Sequence, residues 1–249
     1  MERTLLHDVE HEDDHLPPRL ISAHSNDETC FDLARGWLER CTRSHGAACA
    51  LKKETPLPTR LIYIPPNDEE PLRLRLTEGM TGHYVALSYA WGAGSTFKTT
   101  RDTISSRLSG FLPADLPNSV RDAVLITRRM GFEYLWVDAL CIIQADFEDW
   151  NHESALMARV YGGAAFTISA DLAHNSDFGI LHERGLGRSH GFGRSGEMCL
   201  QDMERPWASL VDQFIYRRGW VSFEGVWPWE FGTFANFWVV VFPGAYAIC

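Results

Sequence analysis

The chain has 249 residues, a formal net charge of −10 at pH 7, and 45% hydrophobic and 22% charged residues. This length accommodates one large domain with extensions and a substantial core. Because no basic face compensates the acidity, nucleic acid is excluded as the main partner.

The first 25 residues are polar and rich in histidine and acidic residues, which predicts a mobile acidic lead-in for 1–25. This stretch has the features of neither a secretory signal nor a mitochondrial presequence. We therefore expect a cytoplasmic protein whose six cysteines are free thiols.

Residues 26–80 predict an N-terminal extension built from a helix and β-structure. Ser25 and Glu28 form a capping-box pattern that opens a helix near 27–45. An apolar stripe at helical spacing supports this helix: Phe31, Ala34, Leu38 and Cys41. Strands are predicted at 61–64 and 72–76.

From residue 84 to residue 170, strands alternate with helices. The predicted strands are 84–90, 134–143 and 165–170, and the predicted helices are 118–130 and 150–161. This alternation is typical of a parallel α/β sheet flanked by helices. We therefore expect the first two strands to be parallel neighbours or near neighbours, with the first helix over one face of the sheet.

Polar residues and glycine indicate where these helices begin and end. Asn118 or Ser119 is predicted to cap the first helix, and Asp149 the second. Gly131 lies where a helix is commonly terminated by a residue with positive φ.

Residues 223–249 form an apolar tail. The segment 231–249 has no charged residue and reaches transmembrane length, but glycine, asparagine and proline interrupt it. Three interpretations stay open: a membrane anchor, a buried strand or an irregular terminus.

Three blocks carry a family resemblance: YVALSYAWG (84–92), LPNSVRDAVLITRRMGFEYLWVDALCIIQ (116–144) and DWNHESALMARVYGGAAFTISA (149–170). In order and spacing they resemble the heterokaryon incompatibility (HET) domain of filamentous fungi. The resemblance implies a domain over 81–222 that acts in non-self recognition and regulated cell death. The implied partners are other incompatibility or death-signalling proteins, or further copies of the chain. After Trp220 the sequence departs from the family's usual continuation.

HET domains are remotely similar to TIR domains, so the implied fold is a TIR-like (flavodoxin-like), mostly parallel α/β sheet. Some TIR domains cleave NAD at the nicotinamide–ribose bond, with a glutamate on a helix just after a core strand and a tryptophan shortly before it. Trp150 and Glu153 are similar in placement. The resemblance thus implies catalytic Glu153, NAD as a candidate substrate and no cofactor. The alternative is a non-enzymatic module that acts by assembly with partners.

Glu153 is also conspicuous from the residues alone, because on helix 150–161 it shares the apolar stripe made by Trp150, Met157, Val160 and Tyr161. A carboxylate on such a face is costly unless it is paired or faces a cleft. Pairing predicts a salt bridge to an arginine such as Arg121 or Arg128. A functional role predicts that Glu153 faces a concave site near Trp91 and Gly92.

The remaining candidate site residues follow the strand ends or match the family blocks. Trp91 and Gly92 are interpreted as cleft, Tyr89 as core, and Asp138 as a paired carboxylate. The predicted substrate-binding set is Ser88, Tyr89, Trp91, Gly92, Asp138, Gln144 and Trp150.

Neither a metal site nor a reactive cysteine is predicted. Cys41, His45 and Cys49 have no standard zinc spacing and no clear fourth ligand. Cys141 lies in an apolar run and is interpreted as a small hydrophobic residue.

Overall fold

The computed structural model describes residues 24–44, 55–92, 97–170, 173–183, 189–191, 199–201, 239–241 and 246–248. The described α-helices are α1 (Glu28–Ser44), α2 (Ile104–Ser109), α3 (Asn118–Arg129), α4 (Asp138–Cys141) and α5 (Phe147–Gly163), and a 3-10 helix spans Pro113–Asp115. The described strands are β1 (Arg60–Tyr63), β2 (Arg73–Leu76), β3 (Val85–Ser88), β4 (Tyr134–Trp136), β5 (Phe166–Ser169), β6 (Ser189–Gly191), β7 (Cys199–Gln201), β8 (Val239–Val241) and β9 (Tyr246–Ile248).

Seven of these strands form one sheet in the order β2-β1-β4-β3-β5-β8-β9. Strand β3 is parallel to both β4 and β5, which confirms the predicted parallel neighbours. The expected mostly parallel sheet is wrong in detail, because the sheet is mixed: β1 runs antiparallel to β2 and β4, and β8 to β9. The pairs β1-β2 and β8-β9 are antiparallel because short connections join their strands. Parallel pairing of consecutive strands requires a long crossover.

The strands of the predicted N-terminal extension belong to this same sheet. Strand β1 lies beside β4, so residues 60–76 extend the central sheet rather than forming a separate layer. Along residues 72–75 the buried Leu72 and Leu74 alternate with the partly exposed Arg73 and Arg75, which is the pattern of a strand with one solvated face.

Helices flank the parallel centre of the sheet. Helix α3 contacts β3 and β4, which confirms the expected helix over this part of the sheet. Arg129 of α3 stacks over the buried Phe31 ring of α1, with 3.6 Å between the guanidinium carbon and the ring centroid. On α5, Tyr161 makes an edge contact with Trp136 of β4 at a centroid distance of 5.5 Å.

The strand predicted at 134–143 ends at Trp136, and the prediction was wrong beyond that residue. The buried run continues as the single turn α4, in which the N–H groups of Leu140 and Cys141 donate to the carbonyl of Val137. An apolar run is compatible with a buried strand or a buried helical segment, so its composition did not reveal this turn.

The predicted helix caps were wrong, because the polar side chains bind other segments. Ser25 Oγ exchanges hydrogen bonds with the backbone of His182. Asn118 Nδ2 donates to the carbonyl of Asp177, and Ser119 Oγ accepts the N–H of Gly179.

The ends of α3 and α5 show where the cap predictions failed and where one held. Helix α3 is preceded by Pro117, which offers no side-chain cap. Helix α5 begins at Phe147, and its N-cap is Asp146, whose side chain accepts the N–H of Asp149. Gly131 follows α3 with φ +85, as predicted.

Within the described ranges, no helix is both long enough and apolar enough to cross a bilayer. Of the apolar tail, only β8 and β9 lie among the described residues. Strand β8 pairs with β5, so these backbone segments belong to the main sheet.

Candidate functional site

Strands β3, β4 and β5 are parallel, so their carboxyl ends meet at one edge of the sheet, called here the carboxyl edge. The chain passes from β3 to β4 on one side of β3, and then from β4 to β5 on its other side. In open α/β sheets, ligands bind in the crevice that such a change of direction opens.

Trp91 and Asp138 meet at the carboxyl edge. Trp91 follows β3, and its indole Nε1 donates to both carboxylate oxygens of Asp138, at 2.9 and 3.0 Å. Asp138 opens α4 and also accepts the N–H of Ala139 at 2.8 Å. The prediction that Asp138 is paired is therefore confirmed, and the bond joins the chain segments after β3 and β4.

Gly92 packs closely against the segment that follows β5. Its φ is +74, and a Cβ added to it would lie 2.4 Å from the Cβ of Asn175. Beside it, the N–H of Ser176 donates to the Trp91 carbonyl at 3.2 Å. Only glycine fits this position without a shift of backbone, because both the conformation and the space exclude a side chain.

Gln144 holds the turn after β4 in place. Its Nε2 donates to the carbonyls of Asp138 and Ile142 at 3.0 and 3.1 Å, and its N–H donates to the Thr99 carbonyl at 2.7 Å. The side-chain amide therefore bonds to the local backbone and positions the loop that carries Asp138.

The other members of the predicted substrate-binding set differ in exposure. Tyr89 is buried, which confirms its interpretation as core, and Ser88 is partly exposed at the end of β3. Trp150 is 51% exposed and faces solvent, so its assignment to the inward stripe of the helix was wrong. Trp150 lies in the first turn of α5, which begins at Phe147, whereas Glu153, Val160 and Tyr161 farther along the helix are buried.

Glu153 lies in a buried charge cluster with Arg60 and Asp149. The Arg60 Nη2 is 3.3 Å from Glu153 Oε1 and donates to both Asp149 oxygens at 2.6 and 2.7 Å. Arg60 Nε donates to the Cys141 carbonyl at 2.7 Å. Asp149 in turn accepts the N–H of Ile143 at 2.7 Å. The cluster thus ties β1 to α4 and α5.

The identity of the arginine corrects the sequence prediction. Arg121 bonds to Asn118, and Arg128 pairs with Asp68, so neither is the partner of Glu153. Sequence reasoning missed Arg60 because nothing local indicated that β1 lies beside β4. The available signal was a cation at the start of the apolar segment 61–64, which requires acidic partners when it is buried.

Comparison with known families identifies the chain at this point. Residues 84–224 match the family model described as heterokaryon incompatibility protein (HET), and they make up more than half of the 249 residues. The chain belongs to the HET family. No curated protein and no solved structure matches it. The HET match includes Trp91, Asp138 and Glu153, whereas Arg60 precedes it.

Burial is the largest influence on the pKa values of Glu153 and Cys141 in this HET-family chain. Burial raises the pKa of Glu153, and the Thr59 hydrogen bond and the Arg60 charge offset part of that rise. Burial also raises the pKa of the Cys141 thiol to about 12, which agrees with its interpretation as a small hydrophobic residue. A thiol with such a pKa is not a nucleophile at neutral pH.

The predicted site residues therefore fall into two groups within the HET domain. Trp91, Gly92, Asp138 and Gln144 lie together at the carboxyl edge. Glu153 is 1% exposed, and its described polar partners are Arg60 and Thr59 rather than Trp91 or Gly92. The short helix α4 connects the groups, with Asp138 at its start and the Cys141 carbonyl at its end.

Proposed function

We propose that this chain acts in fungal non-self recognition by assembling with partner proteins and passing on a regulated cell-death signal. The proposed site of action is the cytoplasm, and the proposed partners are other incompatibility or death-signalling proteins or a second copy of the chain. The family match supports the incompatibility role. The observation that carries the assembly mechanism is the buried ion pair of Glu153 with Arg60.

A catalytic carboxylate must reach its substrate, and Glu153 is held away from solvent. Arg60 is itself fixed by Asp149 and by the Cys141 carbonyl, so its guanidinium cannot leave Glu153 without breaking three contacts. Separating a buried charge from its partner costs about 3–5 kcal/mol. This cost supports a structural role for Glu153 and favours assembly over hydrolysis.

NAD hydrolysis is the second candidate, and the topology at the carboxyl edge favours it. The order β4-β3-β5 is similar to the beginning of a flavodoxin-like sheet, in which ligands bind at the point where the strand order reverses. Trp91, Gly92 and Asp138 lie at this edge. On this proposal Glu153 leaves Arg60 and stabilises the positive charge that develops on the ribose as nicotinamide departs with the bonding electrons. A water molecule then adds to that ribose carbon and releases a proton.

Expression in a fungal cell distinguishes the two mechanisms. Glu153→Gln keeps the side-chain shape and removes its charge. Assembly predicts that the wild type and the variant kill cells equally while cellular NAD stays constant. Hydrolysis predicts that NAD falls with the wild type, and that Glu153→Gln abolishes both the NAD loss and the killing. Equal amounts of folded protein, checked by thermal unfolding, are the control.

A further inference from the structure

Two arginines and two tyrosines form a cluster on one face of the β2-β1-β4 end of the sheet. The register places Tyr63 opposite both Arg73 and Tyr134, and Arg75 opposite Leu61, so these side chains share a face. Arg73, Arg75, Tyr63 and Tyr134 are all partly exposed. We call these four residues the arginine–tyrosine patch.

The contacts within the patch fix the guanidinium groups against aromatic rings. The guanidinium carbon of Arg75 lies 4.2 Å from the Tyr63 ring centroid, and that of Arg73 lies 5.4 Å from it. Arg75 Nη1 donates to the Tyr134 hydroxyl at 3.0 Å. Such stacking restricts the guanidinium group without using its in-plane N–H donors.

The patch carries positive charge that no carboxylate of the described residues neutralises. Arg60, Arg101, Arg128 and Arg129 each pair with an acidic side chain. Among the ion pairs of the described residues, none includes Arg73 or Arg75. The Nε of Arg73 is buried without a described hydrogen-bond partner.

We propose that the arginine–tyrosine patch is the docking surface for an acidic segment of a partner protein, an inference that rests on the proposed assembly function. Arginine and tyrosine, together with tryptophan, are enriched among the residues that dominate binding energy at interfaces. The arginine fork matches a carboxylate in two parallel hydrogen bonds. Two such forks at alternate positions of β2, 73 and 75, suit glutamates that alternate along an extended peptide.

Charge argues for a short acidic segment rather than for a membrane or a nucleic acid. An extended polyanion would also face the rest of a chain with net charge −10. A short segment contacts only the patch, and repulsion from more distant charges is screened over about 8 Å at physiological salt. Charged residues on an outer strand can alternatively serve to prevent strand-to-strand aggregation.

Fluorescence anisotropy with the full chain tests the docking surface. The probes are a fluorescein-labelled peptide of alternating glutamate and threonine, and the same peptide with glutamine in place of glutamate. The test variant is Arg73→Gln/Arg75→Gln. Its control is Arg40→Gln/Arg43→Gln, which removes the same charge from the exposed side of α1. Arg75→Lys keeps the charge and removes the fork.

We expect the wild type to bind the glutamate peptide and not the glutamine peptide. The patch variant should weaken binding by about tenfold or more, the α1 control by less than about twofold, and Arg75→Lys by an intermediate factor. Equal affinities of the patch variant and its control would overturn the proposal. It would also be overturned if phosphatidylserine vesicles, and not the peptide, bound through Arg73 and Arg75. Self-association of the patch variant with unchanged peptide affinity would also overturn the proposal. It would indicate that the two arginines prevent strand-to-strand aggregation.

The cell-death assay separates this inference from the proposed function. If killing is independent of Glu153 but the peptide does not bind, the proposed docking surface is refuted and the assembly mechanism stands. If the peptide binds through the patch while killing requires Glu153 and consumes NAD, the docking surface stands and the assembly mechanism fails.

Discussion

Arg60 and Glu153 form a buried ion pair although they are 93 residues apart in the chain, with 3.3 Å between Nη2 and Oε1. Arg60 belongs to β1, which precedes the family match, and Glu153 belongs to α5 within it. Through this pair the N-terminal part of the sheet stabilises a residue whose position suggested catalysis.

Replacement of Arg60 should be strongly destabilising. Arg60→Met leaves the carboxylates of Glu153 and Asp149 without their cation and the Cys141 carbonyl without a donor. We expect the free energy of unfolding to fall by about 3–5 kcal/mol, as for a buried pair broken on one side. Urea unfolding followed by circular dichroism measures this loss.

Arg101 provides the control for this substitution. It pairs with Asp146, but its side chain is 71% exposed. Arg101→Met should therefore cost about 1 kcal/mol or less. Comparable losses for the two arginines would mean that the Arg60 cluster is not a buried unit.

Stability should depend on pH through Glu153. Burial raises its folded-state pKa above the ordinary value of 4.5, so the folded chain binds this proton more tightly than the unfolded chain. The resulting stability is present below the ordinary pKa and is lost as pH rises through the folded-state pKa. Relative to Glu153→Gln, the wild type should therefore lose unfolding free energy as pH rises above 4.5. A gain in the relative free energy of unfolding over that range would show that the Arg60 charge lowers the pKa of Glu153 more than burial raises it.

The alternation of strands and helices was predictable from sequence because it depends on local periodicity. Strands β3 and β5 and helices α1, α3 and α5 appear close to their predicted positions. The parallel pairing of β3 with β4 followed from the long helical crossover between them. The position of β1 beside β4 did not follow, because antiparallel pairing between distant segments leaves no local pattern.

Gly92→Ala should destabilise the chain more than Gly131→Ala. Both glycines have positive φ, but only at Gly92 would the new methyl group meet another atom, the Cβ of Asn175 at 2.4 Å. We expect the free energy of unfolding to fall by about 1 kcal/mol for Gly131→Ala, from backbone strain alone, and by clearly more for Gly92→Ala. Thermal unfolding of both variants gives the comparison, and equal losses would contradict close packing at the carboxyl edge.

Trp91→Phe should remove the bond between the segments after β3 and β4. Phenylalanine retains the aromatic ring but leaves Asp138 without the indole N–H. We expect the free energy of unfolding to fall by about 1.5–3 kcal/mol, which is the range that hydrogen bonds to charged groups contribute to stability. Trp150→Phe is the control, since this exposed tryptophan should tolerate the change within about 0.5 kcal/mol. Unchanged stability of Trp91→Phe would show that the bond to Asp138 contributes little.

Killing of fungal cells should weaken with Trp91→Ala if the carboxyl edge serves the death signal. Trp91 lies partly exposed beside Gly92 at this edge. The readout is colony survival at matched levels of folded protein. Full toxicity of a stably folded Trp91→Ala variant would remove this residue from the functional site.

The candidate site was harder to predict than the fold because its residues depend on contacts across the sheet. The pairing of Asp138 could be expected, since a carboxylate in an apolar run requires a partner. The partner itself, Trp91, follows a different strand, and the Arg60 cluster depends on β1. The exposure of Trp150 could not be inferred from helical spacing alone, because that spacing places it on the same face as the buried Glu153.

Nicotinamide release from NAD by the purified chain tests the central proposal most directly. Because Arg60 holds the buried Glu153, we predict that the wild type releases no more nicotinamide than Glu153→Gln at equal concentration of folded protein. Sustained release by the wild type that Glu153→Gln abolishes, with both proteins equally folded by circular dichroism, would contradict assembly and establish the hydrolase.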